Sequence, residues 1–294
     1  MNNHLEKFIN YISNTKKLSK NTIDSYSRDL RNYFSYIESK DIVDSLSVND
    51  TDIMMYNMHL KNNNKSASTI SRSLATLRNY YGYLHNAGLI SSNPTLNINS
   101  PKAEKKMPDI LSIKEIENLL KQPDITTAIG SRDNAMLEIL YASGIKVTEL
   151  ISLNVCDVNF EYGFIRCQSS KSSDRIIPIG KIAQSALSNY IEDMRSSLTN
   201  ELAGPLFVNY TGQRLSRQGF WKLLKAHTKA ANIEKSITPH TLRHSFAVHL
   251  IQNGADLSVV KELLGHSDIS STQVYLELSK YSLKEIYDKA HPRA

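Results

Sequence analysis

Three features that mark special classes of protein are missing from this sequence of 294 residues. It has only two cysteines, Cys156 and Cys167, which are too few for a disulfide framework and lack the spacing of a zinc ribbon. No uninterrupted apolar run is long enough to cross a bilayer. The amino terminus lacks the basic, apolar and small-residue order of a secretory signal. We therefore expect a protein of the cytoplasm with reduced cysteines.

The composition is that of an ordinary folded protein with a basic excess. Apolar residues make up 40% of the chain and charged residues 22%, and the length suits two domains better than one. The formal net charge of +6 suits a polyanionic partner such as nucleic acid. Many soluble proteins are basic without such a partner, so the charge alone decides little.

The first hundred residues have apolar and aromatic side chains at helical spacing. They predict four helices, over 5–13, 21–39, 51–61 and 66–86. Ser19 or Asn21 is a suitable N-cap for the second helix, and Gly88 follows the end of the fourth. The pattern indicates a small four-helix domain over residues 1–100.

A segment over 93–111 contains three prolines, polar residues and a short basic cluster, so much of it is interpreted as an interdomain linker. We place the linker at 101–108 and the second domain at 109–294. The lysines of this segment can follow a nucleic-acid backbone, or they can simply belong to a flexible basic linker. They are Lys102, Lys105 and Lys106.

The second domain is predicted to be mainly helical with one small sheet. A hairpin over 158–167 turns at Glu161–Gly163, and a further strand covers 175–180, which gives three antiparallel strands. Helices are expected over 112–122, 132–143, 147–153, 181–198 and 216–231, and on both sides of the sequence LLGHSD.

The stretch over 238–279 combines phosphate ligands with a tyrosine near its end. Pro239 fits the first turn of a helix, so His240 and Arg243 lie on one face near its positively polarised end. Such a face can hold a phosphate, since arginine offers a planar fork of donors and histidine can donate a hydrogen bond or a proton. An isolated pair of this kind is more often a packed histidine and a surface ion pair.

His266 and Tyr275 have ordinary explanations when each is taken alone. Gly265 ends a helix, so His266 can satisfy a local backbone group. Tyr275 is one of fifteen tyrosines, most of which are expected to pack.

Taken together, the motif H-x-x-R, the sequence LLGH and a tyrosine nine residues after that histidine resemble the active-site signature of tyrosine recombinases. The resemblance extends to LSKNTIDSYSRDL near the start, LYASGIKVTELISL in the middle, DRIIPIG after the hairpin and HPRA at the end. It is closest to the Xer subgroup, which includes recombinases that resolve chromosome dimers for partition and their mobile-element relatives.

The resemblance implies a mainly α fold of two domains that clamp DNA: a four-helix SAM-like domain and a mixed α+β catalytic domain. It implies that Tyr275 attacks the scissile phosphate and forms a 3′-phosphotyrosyl bond and a free 5′-hydroxyl, without ATP or metal. Arg243, His240 and His266 match groups that contact the transferred phosphate, and Glu149 matches an acidic support residue.

Lys146 departs from the family pattern, which has arginine at this place in the sequence LYASGIKVTEL. Lysine keeps the charge but loses the planar fork. One lost contact of this kind costs about 2 to 4 kcal/mol of transition-state stabilisation, or roughly 10² to 10³ in rate. Slow or trapped chemistry is therefore a hypothesis, and the sequence does not distinguish a natural lysine from a deliberate substitution.

A second departure lies in the hairpin loop, where the family has a lysine that protonates the departing 5′-oxygen. An ungapped alignment places Ser170 there, followed by Lys171. Loops shift by one residue readily, so we assign the general acid to Lys171. A solvated loop lysine is the alternative.

Further DNA contacts are expected on both domains. By resemblance and by charge, the candidates are Lys20, Asn21, Thr22, Lys65, Ser68, Arg72, Arg78, Arg217, Gln218 and Thr241. Any of them can instead be solvated surface. The resemblance also implies four subunits on two DNA sites, with the tail over 282–294 packed on a neighbour; packing on its own subunit is the alternative.

Two other functions stay open. A catalytically impaired DNA-binding or architectural protein of the same fold would keep the clamp without strand exchange, and Lys146 makes this credible. A type IB topoisomerase shares the nucleophile chemistry but needs no paired sites, and the resemblance at both ends of the chain favours the recombinase.

Overall fold

The computed structural model describes residues 2–101, 109–168 and 174–265, together with Thr272 and Tyr275. The chain forms two compact units, Met1–Lys105 and Lys106–Ala294, here called the amino-terminal and carboxyl-terminal units. In the described part of the chain, no helix combines the length and the apolar character needed to span a membrane. The linker lysines Lys102, Lys105 and Lys106 lie outside the described residues.

The amino-terminal unit contains the four predicted helices. They are α1 (Asn2–Asn10), α2 (Lys20–Glu38), α3 (Asp50–Asn62) and α4 (Ala67–Asn86), and α1 runs on into a π-helical turn over Tyr11–Thr15. Ser19, one of the two predicted caps, starts α2 by accepting a hydrogen bond from the backbone N–H of Thr22 at 3.3 Å. Ser66 starts α4 in the same way through Thr69.

Tyrosines occupy the centre of this unit rather than its surface. Tyr33, Tyr80 and Tyr81 are fully buried. Their hydroxyls are satisfied inside the unit, since those of Tyr33 and Tyr81 lie 2.8 Å apart and that of Tyr80 lies 2.9 Å from the Ser45 hydroxyl. Most tyrosines of the unit are thus explained by packing.

The first part of the segment predicted as a linker packs on the amino-terminal unit. Ile98 is buried there. Arg78 on α4 donates to the Ile98 carbonyl at 2.5 Å and to the Ser100 hydroxyl at 3.0 Å. These contacts hold the chain against α4 as far as Pro101, whose carbonyl accepts a hydrogen bond from Ser71.

The carboxyl-terminal unit is mainly helical, as predicted. Its helices are α5 (Ile113–Leu120), α6 (Ala128–Ser143), α7 (Val147–Ser152), α8 (Lys181–Ser188), α9 (Arg217–Ala230), α10 (Pro239–Gln252) and α11 (Leu257–Leu264). Helix α6 lies at the centre, because it packs against both α8 and α10. The stretch predicted as one helix over 181–198 is α8 followed by a π-helical turn, Asn189–Met194, and a 3₁₀ turn, Arg195–Ser197.

The described part of this unit contains the predicted three-stranded antiparallel sheet. Strands β1 (Val158–Asn159), β2 (Phe164–Cys167) and β3 (Arg175–Pro178) pair in the order β1-β2-β3. Cys167 pairs with Arg175 at the end of the β2-β3 hairpin. The loop tip over 169–173 lies outside the described residues.

The sharp turn that ends α6 at Gly144 packs closely against α10 and α11. Gly144 ends α6 in the left-handed conformation, with φ of 59°. A Cβ atom at this position would overlap the ring of Phe246 on α10 and press on Leu264 of α11. Glycine is therefore required both by the backbone conformation and by the close packing.

We expect Gly144→Ala to lower the free energy of unfolding of the carboxyl-terminal unit by about 2 to 4 kcal/mol, because it adds left-handed strain to overpacking. Urea unfolding of the full chain measures the change. Gly180→Ser is the matched control, since Gly180 has φ of −70° and open space around it. Equal stability of the Gly144 variant and the control would contradict the prediction.

Candidate active site

The amino terminus of α10 presents the predicted phosphate-binding residues. Thr238 caps the helix: its hydroxyl accepts the backbone N–H of Thr241, and the Thr241 hydroxyl accepts that of Thr238, both at 3.1 Å. Spacings of three and four residues then place His240, Arg243 and His244 on neighbouring positions of one helix face. The sequence motif indicated the first two of these residues but not His244.

Arg243 is buried and is held by backbone carbonyls of two other segments. Its Nη1 donates to the Gly144 carbonyl at 2.5 Å and its Nη2 to the Leu264 carbonyl at 2.6 Å. Burial lowers the pKa of Arg243, whereas Glu149 and Tyr275 favour the charged form. Two of the five N–H donors are used in this way, so the guanidinium is oriented and keeps donors for a phosphate.

Tyr275 lies in an apolar cluster, where its side chain is 2% exposed. Phe246, Val260 and Leu264 are members of the same cluster. Its hydroxyl lies 2.8 Å from Nδ1 of His244, in hydrogen-bond distance. Burial raises the pKa of Tyr275, and the charge of Arg243 opposes the rise. The proposed nucleophile is thus buried within electrostatic reach of the buried arginine.

His240 is exposed and surrounded by cations. Burial of part of the ring, followed by the charges of Arg243, Arg217 and Lys146, lowers its pKa. The part of the shift that comes from these three charges reflects a positive potential, which is what a phosphodiester would meet at this surface. His240, Arg243, Arg217 and Lys146 therefore form one cationic region.

Lys146 lies at the start of α7, where Glu149 fixes the backbone. The Lys146 backbone N–H donates to Oε2 of Glu149 at 2.8 Å, while the Lys146 Nζ lies 3.9 Å from Oε1. The lysine side chain is 47% exposed. The carboxylate thus positions the turn that carries Lys146, whereas the ammonium group extends towards solvent.

Arg175 on β3 is a second arginine of the site, half-buried, that the sequence pattern did not indicate as a site residue. It binds both oxygens of Glu149, with Nη1 to Oε1 at 3.0 Å and Nη2 to Oε2 at 2.8 Å. Burial alone would raise the pKa of Glu149, but the hydrogen bonds from Arg175 and Lys146 outweigh it and lower that pKa. Glu149 therefore stays ionised and links the start of α7 to the sheet.

Arg175 also approaches the end of α11. Gly265 ends that helix with φ of 63°, and a Cβ atom there would overlap the Arg175 guanidinium. A charged residue in the otherwise apolar strand RIIPIG was the sequence signal for Arg175. For His244, the signal was its place one turn after His240.

Arg217 and Gln218, predicted to contact DNA, line a cleft of about 530 Å³ between the first turns of α9 and α10. Trp221, Pro239 and His240 contribute to the same cleft. Gln218 therefore adjoins the cationic region, to which Arg217 belongs. Thr241, by contrast, is buried and its hydroxyl belongs to the helix cap.

The predicted DNA contacts of the amino-terminal unit fall into two groups. Most lie exposed or half-buried in the first turn of a helix or just before one: Lys20, Asn21, Thr22, Lys65 and Ser68. The two arginines are engaged within the unit. Arg72 pairs with the buried Asp29 at 2.6 Å, and Arg78 binds the segment before Pro101.

Three predictions concern residues that are not described. His266, Lys171 and the tail over 282–294 lie outside the described residues. The flanking positions are described: the Leu264 carbonyl accepts a hydrogen bond from Arg243, and Arg175 pairs with Cys167.

Similarity to known proteins covers both units. Residues 109–281 match the phage integrase family, and residues 5–88 match the phage integrase N-terminal SAM-like domain. Tyrosine recombinase XerD of Oceanobacillus iheyensis is 46% identical over 293 residues, which cover 99% of this chain and 98% of that protein. Tyrosine recombinase XerD of Listeria monocytogenes serotype 4b is 44% identical over 300 residues, with full coverage of both chains.

Solved structures share the fold. The XerH site-specific recombinase bound to palindromic difH substrate superposes with a TM-score of 0.76 at 22% identity, over 96% of this chain and 82% of that one. A lambda integrase dimer bound to a COC′ core site gives a TM-score of 0.74 at 15% identity, over 94% of each chain. Because the sequence matches extend over nearly the whole length and the fold agrees, the chain belongs to the phage integrase family and is a tyrosine recombinase.

Proposed function

We propose that this recombinase acts on specific DNA sites and that Tyr275 is its nucleophile. The phenolic oxygen attacks the scissile phosphorus and forms a 3′-phosphotyrosyl bond, and a free 5′-hydroxyl leaves. The 5′-hydroxyl of the partner strand then attacks this linkage and releases Tyr275. One phosphoester replaces another, so the reaction uses no ATP. The observation that supports this proposal most directly is the buried Tyr275 hydroxyl within electrostatic reach of Arg243.

The surrounding residues are assigned roles that suit their positions. Arg243, oriented by two carbonyls, donates to the non-bridging oxygens of the phosphate as charge develops on them. His240 donates to the same group from the exposed side of α10. His266 contributes a further hydrogen bond. Glu149 supports the turn that carries Lys146.

Double-stranded DNA is the proposed substrate. The solved relatives include complexes with difH and lambda core sites, and this chain carries a net charge of +6. In the amino-terminal unit, the first turns of α2 and α4 present Lys20, Asn21 and Ser68, near Lys65. We propose assembly of four subunits on two sites, with the tail packed on a neighbour, and activity in the cytoplasm.

Lys146 is the position at which activity is proposed to be limited. A lysine ammonium is a point donor on a flexible stem and cannot bind two phosphate oxygens as a guanidinium does. This supports a second candidate function, that of a catalytically impaired DNA-binding or architectural protein. The two candidates differ in whether a covalent link to DNA forms.

Replacing Tyr275 by phenylalanine separates the enzyme from the binding protein. On a nicked duplex that carries a site selected by binding, wild type should form an adduct that survives denaturing electrophoresis, and Tyr275→Phe should form none, because the attacking oxygen is gone. DNA binding by both proteins, measured by gel shift, is the control. Strand cleavage by the phenylalanine variant would overturn the proposed mechanism, and wild-type binding without an adduct would favour the architectural protein.

Lys146→Arg should raise the rate of adduct formation by roughly 10² to 10³, because a planar fork restores bidentate contact with the phosphate. Single-turnover cleavage with pre-bound enzyme measures this rate without a contribution from binding. Lys114→Arg on α5 is the matched exchange at an exposed lysine outside the cationic region. An unchanged rate in the Lys146 variant would show that this account of the position is wrong.

Lys171→Ala should slow cleavage of ordinary DNA by about 10² to 10⁴, since the departing 5′-oxygen would lose its proton donor. A 5′-bridging sulfur leaves without protonation, so on that substrate the variant should approach the wild-type rate. Ser170→Ala is the neighbouring control and should behave as wild type on both substrates. A loss in Lys171→Ala that persists with the sulfur substrate would exclude the general-acid role.

A further inference from the structure

His244 contacts the atom that the proposed function makes the nucleophile. Its Nδ1 lies 2.8 Å from the Tyr275 hydroxyl, and the two rings are 5.4 Å apart between centroids, at 50° to each other. His240, one turn earlier on α10, has its ring centroid 6.3 Å from that of His244 and is exposed. The helix thus directs one histidine to the surface and the other to the buried tyrosine.

The protonation state of His244 suits a proton acceptor. Burial, followed by electrostatic interaction with His240 and Arg243, lowers its pKa to about 4. The imidazole is therefore neutral at physiological pH. When the phenol donates to Nδ1, the remaining ring proton lies on Nε2.

Tyr275 needs such an acceptor. Burial raises its pKa above the ordinary value of 10.0, so little phenolate exists at neutral pH even though Arg243 opposes the shift. A neutral phenol is a weak nucleophile, and removal of its proton as the bond to phosphorus forms lowers the barrier.

We propose that His244 is the general base that takes the phenolic proton of Tyr275 as its oxygen attacks the phosphorus. This inference rests on the proposed function. The bond between the tyrosine oxygen and phosphorus forms, the bond from phosphorus to the 5′-oxygen breaks, and the tyrosine proton moves to Nδ1. The leaving 5′-oxygen takes its own proton from the general acid. In rejoining, the protonated His244 returns its proton to the departing phenolic oxygen.

The weak basicity of His244 before DNA binds does not prevent this transfer. The groups that face it are His240 and Arg243 on its own helix, and Tyr275. A bound phosphodiester adds a negative charge beside them, which raises the pKa of the imidazole. The phenolic oxygen meanwhile becomes far more acidic as it bonds to phosphorus, so the proton transfer becomes favourable along the reaction.

His244→Asn tests the proposal, because an amide oxygen can accept the tyrosine hydrogen bond but cannot take up the proton. Adduct formation on the nicked duplex is measured under single-turnover conditions from pH 6 to pH 9. At pH 7 the variant should be about 10² to 10⁴ slower than wild type. Its rate should depend on the phenolate fraction, so its deficit should shrink about tenfold per pH unit from pH 7 to pH 9. His244→Ala should behave in the same way.

His249→Asn is the matched control. His249 lies on the same helix, and its Nδ1 lies 2.9 Å from the hydroxyl of Tyr141, which has no proposed role in the reaction. This variant makes the same exchange beside a different tyrosine and should cleave as wild type at every pH. Gel shifts of all variants establish that they fold and bind DNA.

The pH dependence of the His244→Asn deficit decides the question. A deficit that shrinks with rising pH supports the general base. A rate within threefold of wild type at pH 7, or a deficit that is the same at pH 7 and pH 9, overturns it. Cleavage by Tyr275→Phe would instead overturn the proposed function itself, so the two failures are distinguishable.

Discussion

The buried guanidinium of Arg243 is the contact on which the arrangement of the site depends. It joins α10 to the carbonyl of Gly144 after α6 and to the carbonyl of Leu264 at the end of α11. A buried cation must be satisfied by hydrogen bonds, and these carbonyls satisfy it without neutralising its charge. The same interaction therefore fixes the local fold and keeps a positive charge beside Tyr275.

A second layer of charge surrounds this contact. Glu149 is bound on both oxygens by Arg175 and also accepts the backbone N–H of Lys146. The carboxylate ties β3 to the start of α7, and the approach of Arg175 to Gly265 brings the end of α11 to the same place. Residues far apart in the sequence thus share one compact set of contacts, in which Arg243 is buried and Lys146 faces solvent.

Local signals made much of the fold predictable. Apolar spacing and the candidate cap Ser19 identified helices of the amino-terminal unit, because a helix is specified by residues three or four apart. The hairpin was predictable because its two strands are close in the sequence and are joined by a short turn. No such local signal showed that the stretch 181–198 is divided into α8, a wider π-helical turn and a tighter 3₁₀ turn.

The site was only partly predictable, because its contacts are made over long separations. The bond between His244 and Tyr275 spans 31 residues, and the pair of Arg175 and Glu149 spans 26. The same limit applies to the hydrogen bond from Arg72, a predicted DNA contact, to Asp29, since these residues lie 43 positions apart in the sequence. A motif identifies residue types suited to a reaction, whereas the partners that orient them emerge only from tertiary structure.

The position of Tyr275 poses opposing requirements that the site must reconcile. An apolar cluster orients the ring and excludes water, but it also raises the pKa of the hydroxyl. Arg243 opposes that rise only in part, because the effect of burial is the larger one. A neutral acceptor beside the oxygen removes the conflict, because it allows the phenol to stay protonated and buried until phosphorus is in reach. The tyrosine ring can then be held rigidly in the apolar cluster while its hydroxyl loses its proton only as it attacks. Of the charges around this pocket, that of Lys146 is the least preorganised, because it lies on a flexible and half-exposed side chain.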